Sequence, residues 1–245
     1  MVRSLLYLLK LSLYWLIFFT LYRVCFLLIY PGRIPHGKLS EALFVFLYSL
    51  RLDASAIAYL IGIPFILWAI QQFVKNNFLN RINHYYNLIL ISLATLLCIS
   101  NIAMYGEWNA LINYNTLFYL AAPAKMFPYL TTLELVGVTI GVAVVIAIFV
   151  LLFRFMILMV IPHSTSKMIY KIIFVPLTFP IVFFFMRGGT QATPINETFS
   201  CYSETKFFNH VSVNPVWHLG HMTLLAIQEP DKASKNNLDD FFKWK

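Results

Sequence analysis

Arg51 and Asp53 stand two positions apart in LYSLRLDASAIAYLIGIPFILWAI, residues 47–70, a stretch otherwise apolar enough to cross a bilayer. Residues two apart on a helix point about 200° apart around its axis, so these opposite charges cannot serve as each other's main partner. An ion within hydrocarbon costs roughly 2.5–3.5 kcal/mol on insertion scales, which makes each of them a functional candidate by default. Arg23 is the expected partner of Asp53. Glu134 or a lipid phosphate is the expected partner of Arg51, with local help from Ser49 and Ser55. A purely structural interhelical ion pair would also account for the charges.

Other chemistry is sparse. His210, His218 and His221 cluster in the C-terminal part, but no carboxylate or thiol stands at metal-ligand spacing beside them, so no metal site is expected. Cys25 and Cys98 lie in apolar runs and Cys201 stands alone, which leaves no disulfide framework and no Cys-x-x-Cys motif. There is no Gly-x-Ser-x-Gly, His-Glu-x-x-His, phosphate-cradling glycine loop or dinucleotide fingerprint. The chain shows no catalytic residues of its own.

The elements that must position these residues are set by composition. Of 245 residues, 60% are hydrophobic and only 11% are charged, and the apolar runs recur along the chain, unlike a single signal peptide. An all-α polytopic membrane protein is expected. A helix crosses hydrocarbon in roughly 20 apolar residues, and five stretches qualify: 5–30, 40–70, 87–105, 133–160 and 168–186. The first carries Lys10 and Arg23, whose long stems can reach head groups. Gly62 and Pro64 predict a kink in the second. Gly137 and Gly141 give the fourth a Gly-x-x-x-Gly spacing that lets helices approach closely. The net charge of +8 flanks apolar runs, which points to anionic lipid and away from nucleic acid.

With the N-terminus inside, seven basic residues fall on the cytoplasmic side (Arg3, Lys10, Lys75, Arg81, Arg154, Lys167, Lys171). Four fall outside (Arg33, Lys38, Lys125, Arg187). Five spans then carry the C-terminal part out of the cytoplasm. Residues 106–132 interleave aromatic and polar groups and predict an interfacial helix. Residues 1–186 thus form the membrane domain and 187–245 an extracytoplasmic tail. In it, Gly188, Gly189 and Pro194 shape the exit of the chain, and Asn214 caps a surface helix that begins at Pro215. The last residues, DKASKNNLDDFFKWK, have no core of their own and are expected to be disordered or the start of something further.

Three separated motifs, RLDASAIAY in the second span, RGGTQATPIN after the fifth and FFNHVSVNPVW in the tail, resemble the N-terminal membrane region of lipoteichoic acid synthase-like proteins. These are sulfatase-superfamily phosphoglycerol or phosphoethanolamine transferases, here most similar to the Bacteroidetes type. The resemblance implies five transmembrane helices in a bacterial inner membrane. It also implies an extracytoplasmic α/β domain holding manganese or zinc and a threonine or serine nucleophile. Only 59 residues follow Met186, so the expectation is a membrane anchor in contact with membrane phospholipids, without that catalytic domain or its metal. A truncated or split reading frame is the simplest explanation, and a stand-alone anchor paired with a separately encoded sulfatase-type domain is the alternative. On this reading Arg51 and Arg187 hold a lipid phosphate or the linker near the outer surface, while Gln191 and Asn196 dock the linker on the bundle and Trp217 belongs to the tail motif. A small transporter or lipid-handling protein, or a noncatalytic scaffold, is the alternative.

Overall fold

A computed structural model describes residues 2–112, 132–157, 161–163 and 165–228. Among them are eight α-helices: α1 Val2–Ile29, α2 Leu39–Leu60, α3 Gly62–Phe73, α4 Asn77–Trp108, α5 Thr132–Met156, α6 Met168–Arg187, α7 Lys206–Ser212 and α8 Pro215–Gln228. Five of them, α1, α2, α4, α5 and α6, are long and apolar enough to span a membrane. The all-α, multi-pass architecture is as the composition requires. The interfacial helix expected over 106–132 lies mostly outside the described residues, as do residues 229–245 of the terminal segment.

The first helix is the hub. Leu11, Tyr14, Trp15, Phe18, Phe19, Tyr22 and Phe26 are all buried, and their three- and four-residue spacing forms one inward face. Phe149 and Phe153 of α5 pack on this face through ring contacts with Phe18 and Tyr14, at 4.5 and 5.3 Å. Hydroxyls finish the joints. Tyr7 accepts from Asn83 Nδ2 at 2.7 Å, Tyr22 accepts from Asn101 Nδ2 at 2.6 Å, and Tyr30 donates to the Ile102 carbonyl. These polar pairs explain why α4 begins ten residues before the expected boundary at 87. Asn83 and Asn87 turn inward where they are hydrogen-bonded, and Asn76 caps the helix by accepting from the Phe78 amide.

The second expected span, 40–70, is two helices. Proline has no N–H for the carbonyl four residues back and crowds it with its ring; Pro64 therefore strips Leu60 of its helical partner. The Tyr86 hydroxyl donates to that Leu60 carbonyl at 3.1 Å instead. The break falls at Ile61, between α2 and α3.

Three contacts fix the register of α2–α3 against the antiparallel α6. Ser55 Oγ donates to the Met186 carbonyl at 2.8 Å, Phe65 meets Phe179 at 4.7 Å, and Lys171 Nζ donates to the Gln72 carbonyl at 2.7 Å. Residues 55–72 are therefore the part alongside α6. At 1.5 Å per residue they extend about 27 Å, close to the thickness of a hydrocarbon core. The first four turns or so of α2 project past the end of α6. Arg51 and Asp53 thus stand just past the level at which α6 ends, within the apolar helix Leu39–Leu60.

The segment after α6 wraps this projection. Tyr202 stacks on Tyr48 with centroids 4.6 Å apart and donates to the Glu41 carbonyl, and Ser203 donates to the Glu41 carboxylate. Phe207, Phe208, Val211 and Val213 are buried and join the main core. The helix expected at Pro215 is present and lies on the surface of the bundle, with Pro215, His218, Met222 and Ala226 of α8 buried and Gly220, Leu224 and Ile227 exposed. Hence α1 begins at one end of the bundle and residues 188–228 form an ordered cap at the other. Gly137 and Gly141 meet no neighbouring atom within 4 Å, so their small-residue face is not used against another described helix of this chain.

Candidate functional site

Polar chemistry concentrates where the cap meets the bundle, in three adjoining clusters. In the first, Arg23 and Asp53 form a two-pronged pair, Nη1 to Oδ2 and Nη2 to Oδ1, each 2.7 Å, with both side chains 1% exposed. The bidentate fork suits a desolvated carboxylate. Arg23 also donates to the carbonyls of Phe19 and Ser212, while Asn214 Nδ2 donates to Asp53 Oδ1. The expected Arg23–Asp53 partnership is present, and Arg23 does not reach out to head groups. Asn214 works twice, because its Oδ1 also accepts from the amides of Val216 and Trp217 and so caps α8 at Pro215.

The second cluster faces outward. Arg51 Nε donates to the Gly188 carbonyl at 2.9 Å, its Nη2 donates to Gln191 Oε1, and its guanidinium lies over the Phe199 ring at 4.5 Å. The side chain of Glu134, the other expected partner, lies outside the described residues. Arg187 donates from Nη2 to the carbonyls of Gln191 and Ala192. Both arginines are exposed, and neither pairs with a carboxylate among the described residues.

Glycine makes this corner. Gly188 takes φ +80°, the left-handed position that ends α6, and its amide bonds back to the Phe184 and Phe185 carbonyls. A Cβ there would sit 2.4 Å from Ile195 Cβ, and one on Gly189, at φ +126°, would meet Gln191 Oε1 and Arg51. Gln191 accepts from Arg51 and donates from Nε2 to the Gly188 carbonyl. Asn196 instead caps the short turn Glu197–Ser200, accepting from the Thr198 amide, and Pro194 is exposed in the loop between. Trp217 Nε1 donates to Ser55 Oγ at 3.1 Å, which in turn donates to Met186. Ser49 merely bonds the Phe46 carbonyl in its own helix.

The third cluster was not legible in the sequence. Glu197, buried at 1% exposure, accepts from His218 Nδ1 at 2.9 Å and His221 Nδ1 at 3.0 Å on the single oxygen Oε1. A carboxylate does stand beside the histidines, 21 positions away in the chain from His218. Burial alone pushes the Glu197 carboxyl up, but the hydrogen bonds and charges of the two imidazoles outweigh it and hold it at about 2. His210 is elsewhere, sharing a hydrogen bond with the Tyr105 hydroxyl.

Both imidazoles turn Nδ1 toward one carboxylate oxygen, which is a hydrogen-bonding and not an ion-binding arrangement. No group of three or more His, Cys, Asp or Glu among the described residues is disposed to hold a metal. The manganese or zinc of the resembled family therefore has no fitting donor set here, and no step is derived through it. Taken together, the clusters clamp the cap to the bundle and present two guanidinium groups at its rim. No family model matches the chain, and no curated protein or solved structure matches it.

Proposed function

We propose that this chain is the membrane anchor of a lipid head-group transferase system of the sulfatase type, acting at the outer face of a bacterial inner membrane. The carrying observation is the convergence of Arg51 and Arg187 on Gln191 at the rim of the cap, from its side-chain and backbone sides respectively. Guanidinium groups with spare donors, unpaired with carboxylates among the described residues and near the C-terminal end of α6, suit phosphodiester oxygens of phospholipids. The cap supports the same reading, since it provides a fixed platform for a sulfatase-type transferase domain. The basic-residue asymmetry favours a cytoplasmic N-terminus and an extracytoplasmic cap.

The test is co-expression of the chain with a separate sulfatase-type transferase domain in a bacterial membrane. Labelled phosphatidylglycerol and phosphatidylethanolamine serve as donors. Capture of the domain by the chain, and faster head-group transfer with the wild type than with Arg51→Gln/Arg187→Gln, are expected. No complex and no change in turnover overturn the reading.

A further inference from the structure

Below the arginines the bundle is notched. Leu9, Ser12, Leu13 and Leu16 of α1 form one wall, Val182 and Phe185 of α6 the other, and Ala54 and Ala58 of α2 lie in the floor of a groove of about 310 Å3. The depression has a simple cause, since alanines stand where α1 and α6 flank α2 and leave the space between those helices unfilled. Along α2 the groove runs from Leu50 to Ile61, about 16 Å at the helical rise, which is close to half of a hydrocarbon core.

Its upper end carries charge. Arg51 stands one turn above Ala54 on the same helix face; Arg187, two residues after Phe185, points to the other side of α6. The recorded bonds of Arg51 use Nε and Nη2, and those of Arg187 use Nη2. Arg51 Nη1, and Nε and Nη1 of Arg187, make no hydrogen bond among the described residues. Asp53, the carboxylate nearest in sequence, is committed to Arg23 and Asn214. An apolar slot about 16 Å long, with the exposed guanidinium of Arg51 beside one end, is complementary to a molecule with an anionic head and a hydrocarbon tail.

We infer that the groove between α1, α2 and α6 is a binding site for one acyl chain of a diacyl phospholipid whose phosphate is held by Arg51. The site rests on the proposed lipid head-group reading and adds to it the place of the tail. Chain and phosphate contribute together, so neither a neutral lipid nor a free phosphate ester binds as well. Ala54→Phe fills the groove from its floor, and Ser12→Phe fills it from the opposite wall, away from every arginine contact. Both leave the clamp intact.

The experiment is native mass spectrometry of the purified full chain, titrated with phosphatidylglycerol, with diacylglycerol of the same chains, and with glycerol 3-phosphate. Wild type should retain phosphatidylglycerol at least about tenfold better than either other probe. Ala54→Phe, Ser12→Phe and Arg51→Gln should each reduce that retention by a similar factor, the two groove variants while keeping the wild-type melting temperature. Ser12→Phe keeps the test valid should Ala54→Phe fail to fold. Diacylglycerol bound as tightly as phosphatidylglycerol overturns the inference. If Arg51→Gln weakens binding and both groove variants leave it unchanged, the acyl site is refuted while the phosphate reading stands. If no variant changes binding, both are refuted.

Discussion

Asn214 and Asp53 lie 161 positions apart in the chain and are joined by a 2.8 Å hydrogen bond, Nδ2 to Oδ1, in a site that excludes water. One side chain therefore starts a helix of the cap and completes the shell of a buried ion pair in the bundle. Asp53 is charged, desolvated and fully engaged by Arg23 and Asn214. The opposite charges at the head of the second span are thus resolved separately: Asp53 inward as a clamp, Arg51 outward at the rim.

Breaking that ion pair from one side should cost more than removing it. Asp53→Ala leaves Arg23 buried and unpaired, a loss of roughly 3–5 kcal/mol. Arg23→Met together with Asp53→Leu replaces both charges with apolar groups of comparable bulk and should cost less than either single change. Thermal unfolding of the detergent-solubilised chain, followed by tryptophan fluorescence, gives the comparison.

Asn214→Ala should loosen the cap without melting the bundle. It removes the α8 cap and one bond to Asp53, together worth roughly 1–2 kcal/mol. Hydrogen exchange should accelerate over residues 206–228, while the amides of α1 and α6 keep their protection.

The main architecture was legible from apolar run lengths alone, because a bilayer imposes a minimum helix length that composition reveals. Positions 40–70 show where this reading falters. Hydropathy recognises neither the helix break that Pro64 makes at Ile61 nor the projection of α2 past the end of α6, since the turns that project are as apolar as those alongside it. Leu39, Leu43, Phe44, Leu47 and Leu50 stay exposed on them, while Ala42, Val45, Ser49 and Leu52 are buried. The Arg23–Asp53 pair could be anticipated from charge economy. Glu197 with His218 and His221 could not, because hydrogen bonds between a short turn and a later helix leave no spacing signature. The Asn214-Pro215 dipeptide gave the start of α8 but not its burial, which depends on the distant Ser55 and Asp53.

Acid should release the Glu197 clamp. Its carboxyl is held at about 2 in the folded chain against an ordinary 4.5. A lowered folded value means stability that is fully present above the ordinary value and is lost as pH falls from about 4.5 toward 2. The amount at stake is on the order of 3 kcal/mol. Wild type should therefore lose stability over this window in excess of Glu197→Gln, whose side chain does not titrate. Melting temperatures of both, measured from pH 6 to pH 3, show whether their curves converge on acidification.

Gly188→Ala should destabilise the corner between bundle and cap by at least about 1–2 kcal/mol, from the left-handed backbone alone. The Ile195 side chain stands in the way of the added methyl as well. Ile195→Ala in the same chain should relieve the contact but not the backbone strain, so rescue is partial. Full rescue would assign the whole cost to crowding.

Tyr86 and Pro64 should be coupled through a carbonyl that neither owns. Tyr86→Phe removes the only hydroxyl recorded on the Leu60 carbonyl, leaving that acceptor unpaired next to proline at a cost of roughly 1–3 kcal/mol. In a Pro64→Ala background, residue 64 regains an N–H that can reach Leu60 and close the helix across Ile61. Tyr86→Phe should then cost distinctly less, and the double-mutant cycle should give a coupling of about 1 kcal/mol. Additive losses would mean that the break between α2 and α3 is held by packing against α6 and not by the hydroxyl. Straightening α2 into α3 should also shift Phe65 against Phe179, so a cysteine cross-link placed at those two positions should form more slowly in the Pro64→Ala chain.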